Sequence, residues 1–350
     1  MKKNIHLGKL VSNVAQIKSS TTAKICAVVK CNAYGHGIKH CAFILESMVD
    51  CYAVASVEEA VNLREYTKKD IIVMGCLEHA KIGLLIKCRL IQSIHNIADL
   101  LALNLYCVAN DKKVTVEVKL NSGFNRLGLS KSQALSVVKL LDIFDCISLH
   151  GVYTHFCDYT DIEFCREQFA NFYSTASFFA KYSPVLHCIN TKGLTFKDYH
   201  LGMIRTGLAM YGCEEIGTQQ IMSVTSNILK INTVLKGSHI GYGEYIAKKD
   251  CIIATVQGGY GQGMLREVYT HCSVQGVVCP IIGAITMDYF MVDLSPCLVK
   301  IDRIDMLKKS TVTITDGILT VQSIAKKAST IPYQLFTSFN AIKDEQIIYQ

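Results

Sequence analysis

Along the first two thirds of the chain, short apolar runs alternate with longer segments whose apolar positions recur at helical spacing. The runs read as strands at Ile25–Lys30, Tyr52–Ala55, Ile71–Met74, Leu90–Ser93, Val114–Lys119, Ile147–Tyr153, Val185–Cys188 and Leu201–Ile204. One segment between them opens with Ser56-Val57-Glu58-Glu59, the pattern of a capping box, ahead of Ala60-Val61-Asn62-Leu63. Eight strand and helix repeats predict an α/β fold built on a parallel (β/α)8 TIM barrel. Beyond about residue 220 the pattern changes. Asn227–Leu235, Cys251–Val256, Ser273–Ile282 and Thr311–Thr315 are rich in β-branched residues, with turn signals at Gly241-Tyr242-Gly243 and Asp316-Gly317. A barrel over residues 1–222 and a mostly β C-terminal domain over 223–350 are therefore expected, packed without a low-complexity linker.

A chain of 350 residues is long enough for two such domains. Half its residues are hydrophobic and 19% are charged, an ordinary globular balance. The net charge of +7 comes from scattered lysines, with pairs such as Lys68-Lys69 and Lys308-Lys309 but no long basic run. Without interleaved aromatics, that charge argues for a solvated surface and against nucleic-acid binding. No apolar run is long enough to cross a membrane, and the lysine-containing N-terminus lacks the apolar stretch of a signal peptide. Sixteen cysteines stand in apolar contexts without any CxxC spacing. They read as small core residues in a reducing cytosol; a disulfide framework or a metal site has no spacing to support it.

The segment Ala27-Val28-Val29-Lys30-Cys31-Asn32-Ala33-Tyr34-Gly35-His36-Gly37 carries the first chemical signal. A lysine delivered by an apolar strand is a candidate nucleophile or base, although a snorkelling lysine at a strand end would look the same. Active sites of barrels lie at the C-terminal ends of the strands, so the residues after each strand are a test independent of motif. The fifth strand precedes Asn121-Ser122-Gly123-Phe124-Asn125-Arg126, and the sixth runs into Thr154-His155-Phe156. The seventh leads to Asn190-Thr191-Lys192-Gly193 and the eighth to Arg205-Thr206-Gly207. The topology thus gathers a lysine, two arginines, a histidine and a hydroxyl on one face. The last two loops are where barrels commonly hold phosphate.

These segments together resemble the alanine racemases, over nearly the whole chain. The resemblance implies a pyridoxal 5'-phosphate enzyme that interconverts L-alanine and D-alanine and supplies D-alanine for peptidoglycan in the cytoplasm. Lys30 matches the lysine that carries the cofactor covalently, and Tyr34 a tyrosine on its phosphate. Val152-Tyr153-Thr154-His155-Phe156 resembles the segment whose histidine, His155, packs by the cofactor ring. His187-Cys188-Ile189-Asn190-Thr191 resembles one that places a hydroxyl on the phosphate, implicating Asn190 and Thr191. Met203-Ile204-Arg205-Thr206-Gly207-Leu208-Ala209-Met210-Tyr211-Gly212 resembles the arginine motif facing the pyridine nitrogen, so Arg205, Gly207 and Leu208 are expected at the cofactor. Gly241-Tyr242-Gly243 matches the turn with the catalytic tyrosine, and Thr286-Met287-Asp288 a segment lining the site.

Racemisation needs a proton removed from one face of the α-carbon and returned to the other. The resemblance makes Lys30 one base and Tyr242 the second, once nearby cations favour its phenolate. A guanidinium does not give up its proton, so Arg205 would leave the ring nitrogen largely unprotonated and suppress transamination. Arg126 would neutralise the substrate carboxylate or the cofactor phenolate, and Met287 would border the substrate. In the family Tyr242 reaches the site from the partner subunit, which implies a homodimer with shared sites.

Some positions depart from the family pattern. Ala284 stands where an arginine is frequent, and Phe339 where a tyrosine contacts the phosphate. Lys119 occupies the place of a lysine that some members carry carbamylated. A serine or broad-specificity racemase and a non-catalytic pyridoxal-phosphate-binding barrel are the alternatives of the same class. Gly259-Tyr260-Gly261-Gln262-Gly263 lacks the GxGxxG spacing of a dinucleotide site.

Overall fold

The computed structural model describes residues 1–213, 216–298 and 307–349. The chain divides into two compact units, one of Val14–Ala33 and Ile38–Met210, the other of Met1–Asn13, Tyr34–Gly37 and Tyr211–Gln350. The first strand, β1 (Lys2–His6), belongs to the second of these units.

Eight further strands build the first unit: β2 (Lys24–Val28), β3 (Cys51–Val54), β4 (Asp70–Val73), β5 (Ile91–Ile94), β6 (Val114–Lys119), β7 (Ile147–Tyr153), β8 (Val185–His187) and β9 (Met203–Thr206). They lie where the apolar runs predict them, with ends displaced by a residue or two. All neighbours pair in parallel in the order β9, β2, β3, β4, β5, β6, β7, β8. Backbone bonds from Gly202 N–H to the Leu186 carbonyl and from Arg205 N–H to the Ile189 carbonyl, each 3.0 Å, join β9 back to β8 and close the barrel. Strands buried on both faces explain why the sequence reads as near-continuous apolar runs. Cys51–Val54 and Ile91–Ile94 have no exposed residue.

Two local expectations change. The first barrel strand ends at Val28, so Lys30 stands beyond it, at the head of a turn (Lys30–Tyr34) whose Cys31, Asn32 and Ala33 are left-handed. The capping box at Ser56 is only half formed. Ser56 Oγ accepts from Glu59 N–H at 3.3 Å, but the Glu59 carboxylate accepts instead from Ala55 N–H at 2.8 Å and Cys31 N–H at 2.6 Å.

The second unit contains β10 (Met222–Val234), β11 (Cys251–Gln257), β12 (His271–Val274), β13 (Val277–Ile282), β14 (Tyr289–Asp293), β15 (Thr311–Thr315) and β16 (Asp344–Ile348). The expected strand Ser273–Ile282 is in fact a hairpin. Gln275 and Gly276, both at positive φ, make the two-residue turn between β12 and β13. Antiparallel pairing runs from β10 through β11, β14, β13, β12 and β15 back to β10, a closed ring without free edges.

β1 extends this sheet, antiparallel to β10 and parallel to β16. Its polar sequence hides it, because one of its two buried residues is Lys3, only 2% exposed. Lys3 stands opposite Glu345 in the ladder, its Nζ 2.7 Å from that carboxylate and 2.7 Å from the Gly35 carbonyl. Breaking a buried pair strands the remaining charge, at a cost of ~3–5 kcal/mol. Glu345→Ala should therefore lower the thermal midpoint sharply, while the double change Lys3→Met with Glu345→Leu recovers most of the loss. Equal losses in the two proteins would show that the pair matters only through packing.

Candidate active site

The C-terminal ends of the barrel strands gather the candidate residues, and a strained turn follows Lys30, the candidate after β2. After Lys30 the residues Cys31, Asn32, Ala33 and Tyr34 all have φ between 53° and 56°. Each non-glycine residue in this region costs roughly 1–2 kcal/mol, so the turn needs external support. It receives it from the Glu59 carboxylate on Cys31 N–H, the Val29 carbonyl on Ala33 N–H at 2.9 Å, and Asn32 Oδ1, which accepts from Ile38 N–H at 2.8 Å. Strain of this kind is typical of functional sites.

Arg205, on β9, is 4% exposed and held by three hydrogen bonds. One terminal nitrogen donates to His187 Nδ1 at 2.6 Å; the other donates to the Thr154 carbonyl at 2.7 Å and the Cys188 carbonyl at 3.3 Å. The guanidinium also lies over the Tyr153 ring, 5.0 Å from its centroid. Tyr153 is anchored by its hydroxyl, 2.6 Å from Ser93 Oγ. Arg126, in the loop after β6, stacks over Phe124 at 4.4 Å. That same ring meets His155 edge-on at 5.4 Å.

His155 reports the electrostatics of the region. Burial first, and then Arg205, Lys119, Arg126 and Lys30, push its pKa down to about 3. It is therefore neutral at physiological pH. Asn190 Nδ2 donates to its Nε2 at 3.3 Å, which places the ring proton on Nδ1. The Thr191 hydroxyl is nearly buried and accepts from the backbone N–H groups of Gly207 at 3.2 Å and Ala209 at 3.4 Å, with Leu208 buried between them. Lys30, Arg126, His155, Asn190, Thr191, Arg205, Gly207 and Leu208 thus share one unit, and four of its cations act on one point.

Tyr34, Tyr242 and Met287 belong to the other unit. Tyr34 is buried against the rings of Tyr211 and Tyr333, with centroids at 5.2 and 5.4 Å. Tyr242 is 74% exposed on the loop between two positive-φ glycines, Gly241 and Gly243. With Met287, Tyr260, Arg266 and Thr286 it lines a cavity of about 840 Å³. Phe339 is buried, 6.0 Å from the Tyr269 ring. Eleven of the sixteen cysteines are buried, and no helix among the described residues is long and apolar enough to cross a membrane.

Sequence reasoning gave no role to Glu117, His150 and His187, which lie beneath Arg205. The signal was present: Thr115, Glu117 and Lys119 put polar residues at alternate positions of a strand where continuous apolar residues are the norm. Lys119, 6% exposed, has its pKa pushed down to about 8, first by burial and then by Arg126 and Arg205. A folded pKa below the unfolded value penalises the folded state while the unfolded ammonium is charged. The penalty is complete below about pH 8 and vanishes above the unfolded pKa, about 10.4. In anion-poor buffer Lys119→Met should therefore gain stability at neutral pH, on the order of 2 kcal/mol after screening, and none above pH ~10.5. A difference that does not change with pH would contradict this.

The comparisons fit the architecture throughout. Residues 5–215 match the family model described as alanine racemase, N-terminal domain, and residues 221–345 the model for the alanine racemase C-terminal domain. The alanine racemase of Thermodesulfovibrio yellowstonii is 31% identical over 347 residues, covering 96% of this chain and 94% of that protein. That of Actinobacillus succinogenes is 32% identical over 336 residues, covering 90% and 89%. Among solved structures, the alanine racemase of Clostridium difficile 630 superposes with a TM-score of 0.88 at 28% identity, covering 96% of this chain and 92% of that one. The enzyme from Bacillus anthracis, solved with bound L-Ala-P, gives 0.86 at 27% identity with the same coverage. With both family models matched in order along one chain of the same fold, this protein belongs to the alanine racemase family.

Proposed function

We propose that this enzyme racemises alanine by a two-base mechanism with pyridoxal 5'-phosphate as its cofactor, Lys30 serving one face of the substrate and Tyr242 the other. The observation that carries the reading is the positive charge gathered around His155, where Arg205, Lys119, Arg126 and Lys30 act together. That donor set fits a polyanionic cofactor. Lys30 would hold it covalently; Thr191, Asn190, Tyr34 and the Gly207–Leu208 backbone would hold its phosphate, and His155 would lie beside its ring. When bound, the cofactor supplies the electron sink that makes the α-proton of an amino acid removable.

The rest of the chemistry belongs to side chains of the protein. Arg126 offers a planar pair of donors to the substrate carboxylate, and Met287 borders its side chain. Arg205 would donate to the ring nitrogen of the bound cofactor without surrendering its proton. Its three acceptors, His187, Thr154 and Cys188, fix the plane of that donation. Lys30 Nζ takes or returns the α-proton on one side, and Tyr242 Oη on the other. An exposed tyrosine on a glycine-flanked loop suits a base contributed to a partner subunit, and we read the enzyme as a homodimer with shared active sites. In chain order we assign residues 1–222 to the cofactor-binding barrel and 223–350 to the C-terminal domain, with β1 lent by the first segment to the sheet of the second. A cytoplasmic role supplying D-alanine for peptidoglycan completes the reading.

Tyr242→Phe separates two bases from one. Racemisation should fall by roughly 10²–10⁴-fold, the usual contribution of a positioned acid or base. Exchange of the α-proton with deuterated solvent should persist for one enantiomer only, read by NMR of the recovered alanine. Loss of exchange for both enantiomers, or racemisation at the parent rate, would defeat the two-base assignment.

A further inference from the structure

Glu117 is completely buried inside the barrel, yet two histidines address it. His150 Nδ1 lies 2.9 Å from its Oε1 and His187 Nε2 lies 3.3 Å from its Oε2. Neither His187 Nε2 nor Glu117 Oε2 has a hydrogen-bonding partner among the described residues, so at 3.3 Å the two buried polar atoms face each other just short of hydrogen-bond geometry. The backbone is shaped for this group. Pairing of β6 with β7 matches Val116 to Leu149 and Glu117 to Gly151, so His150 is the extra residue of a β-bulge. A bulge breaks strict alternation and re-aims one side chain, here that of His150 toward the carboxylate. At Gly151 an added Cβ would stand 2.8 Å from Glu117 Oε1, so glycine leaves the room the carboxylate occupies.

The proton inventory of this chain has one solution. A guanidinium has donors only, so the 2.6 Å contact from Arg205 requires His187 Nδ1 to be the acceptor. The proton of the neutral ring is then on Nε2, directed at Glu117. Burial holds His187 in that neutral form, and the ring is further fixed by stacking on Tyr153 at 5.0 Å, 13° from parallel. Burial opposes ionisation of Glu117, while the hydrogen bond from His150 and the charge of that ring favour it. The same hydrogen bond raises the pKa of His150 and so favours its cationic form.

We propose that Glu117 is a positioning residue for Arg205. Its carboxylate orients the His187 ring so that Nδ1 faces the guanidinium, and His150, carried by the bulge, holds that carboxylate in place. The four residues come from adjacent strands, β6, β7, β8 and β9, and form one relay across half of the barrel's eight strands. The proposal rests on the reading of Arg205 as the group at the pyridine nitrogen. Its consequence is that the ratio of transamination to racemisation depends on a residue that touches neither substrate nor cofactor.

Nitrogen NMR of the histidine-labelled protein without cofactor tests the relay directly. His187 should be a neutral Nε2–H tautomer that does not titrate between about pH 5 and 8. In Glu117→Leu the ring loses its acceptor, and both the His187 and the Arg205 side-chain signals should shift. The loaded enzyme should then transaminate more per racemisation by on the order of tenfold, the usual size of an effect from an outer hydrogen-bonding partner. Glu117→Gln, whose amide oxygen can still accept from His187, should return the ratio most of the way. A wild-type His187 protonated on Nδ1 overturns the proposal without any variant. So does a folded Glu117→Leu protein whose Arg205 signals are unmoved. Shifted Arg205 signals with an unchanged ratio would uphold the relay and defeat instead the placement of Arg205 at the ring nitrogen.

Discussion

Like charges gathered in a small, partly buried space repel one another unless something negative answers them, and this barrel gathers four. Lys30, Lys119, Arg126 and Arg205 all depress the basicity of His155, and all but Lys30 are drawn from β6, β9 or the loop after β6. Closure of eight parallel strands makes the arrangement unavoidable, because it turns alternate side chains of neighbouring strands toward one interior. Two kinds of negative charge can balance it. From outside, the phosphate and phenolate of a cofactor and the carboxylate of an amino acid fit the open end. From inside, Glu117 answers through His187. Arg205 stands between the two, with three of its five donors held by His187, Thr154 and Cys188.

The same need for fixed geometry explains the turn after Lys30. Four consecutive left-handed residues are expensive, and none of them is glycine. A relaxed right-handed turn would carry the lysine elsewhere. The structure instead spends Glu59, the expected partner of its own helix cap, on Cys31 N–H. A strand end, a helix start and the strained turn are thereby tied to one carboxylate. The β ring solves a different problem with the same economy. Lys3 and Glu345 pair across β1 and β16 and so fix the register of two strands with little apolar surface of their own.

Most of the barrel could be read before any coordinates, because strands buried on both faces advertise themselves as apolar runs. β1 could not be read: Lys-Lys-Asn-Ile-His looks like solvent, and only its partners bury it. The hairpin at Gln275-Gly276 was hidden in a continuous β-branched stretch, although a Gly beside a polar residue was the available clue. At the site, residues at strand ends were legible through topology and resemblance. The residues inside the barrel were not. Glu117, His150 and His187 acquire meaning only when β6, β7 and β8 stand side by side and a bulge turns His150 inward. No local pattern encodes that meeting. A buried glutamate two positions before a lysine was the one hint.

The central claim is that this electropositive barrel end holds pyridoxal phosphate on Lys30 and racemises alanine there. The most direct measurement combines borohydride reduction of the purified, cofactor-loaded protein with peptide mapping, beside an assay of D-alanine formed from L-alanine. The account predicts cofactor fixed to the peptide containing Lys30, and D-alanine accumulating until the enantiomers balance. Cofactor fixed to another lysine, or none fixed at all, would contradict it from Lys30 outward. Cofactor fixed at Lys30 without any D-alanine would contradict the catalytic half, leaving a binding protein with the fold of an enzyme.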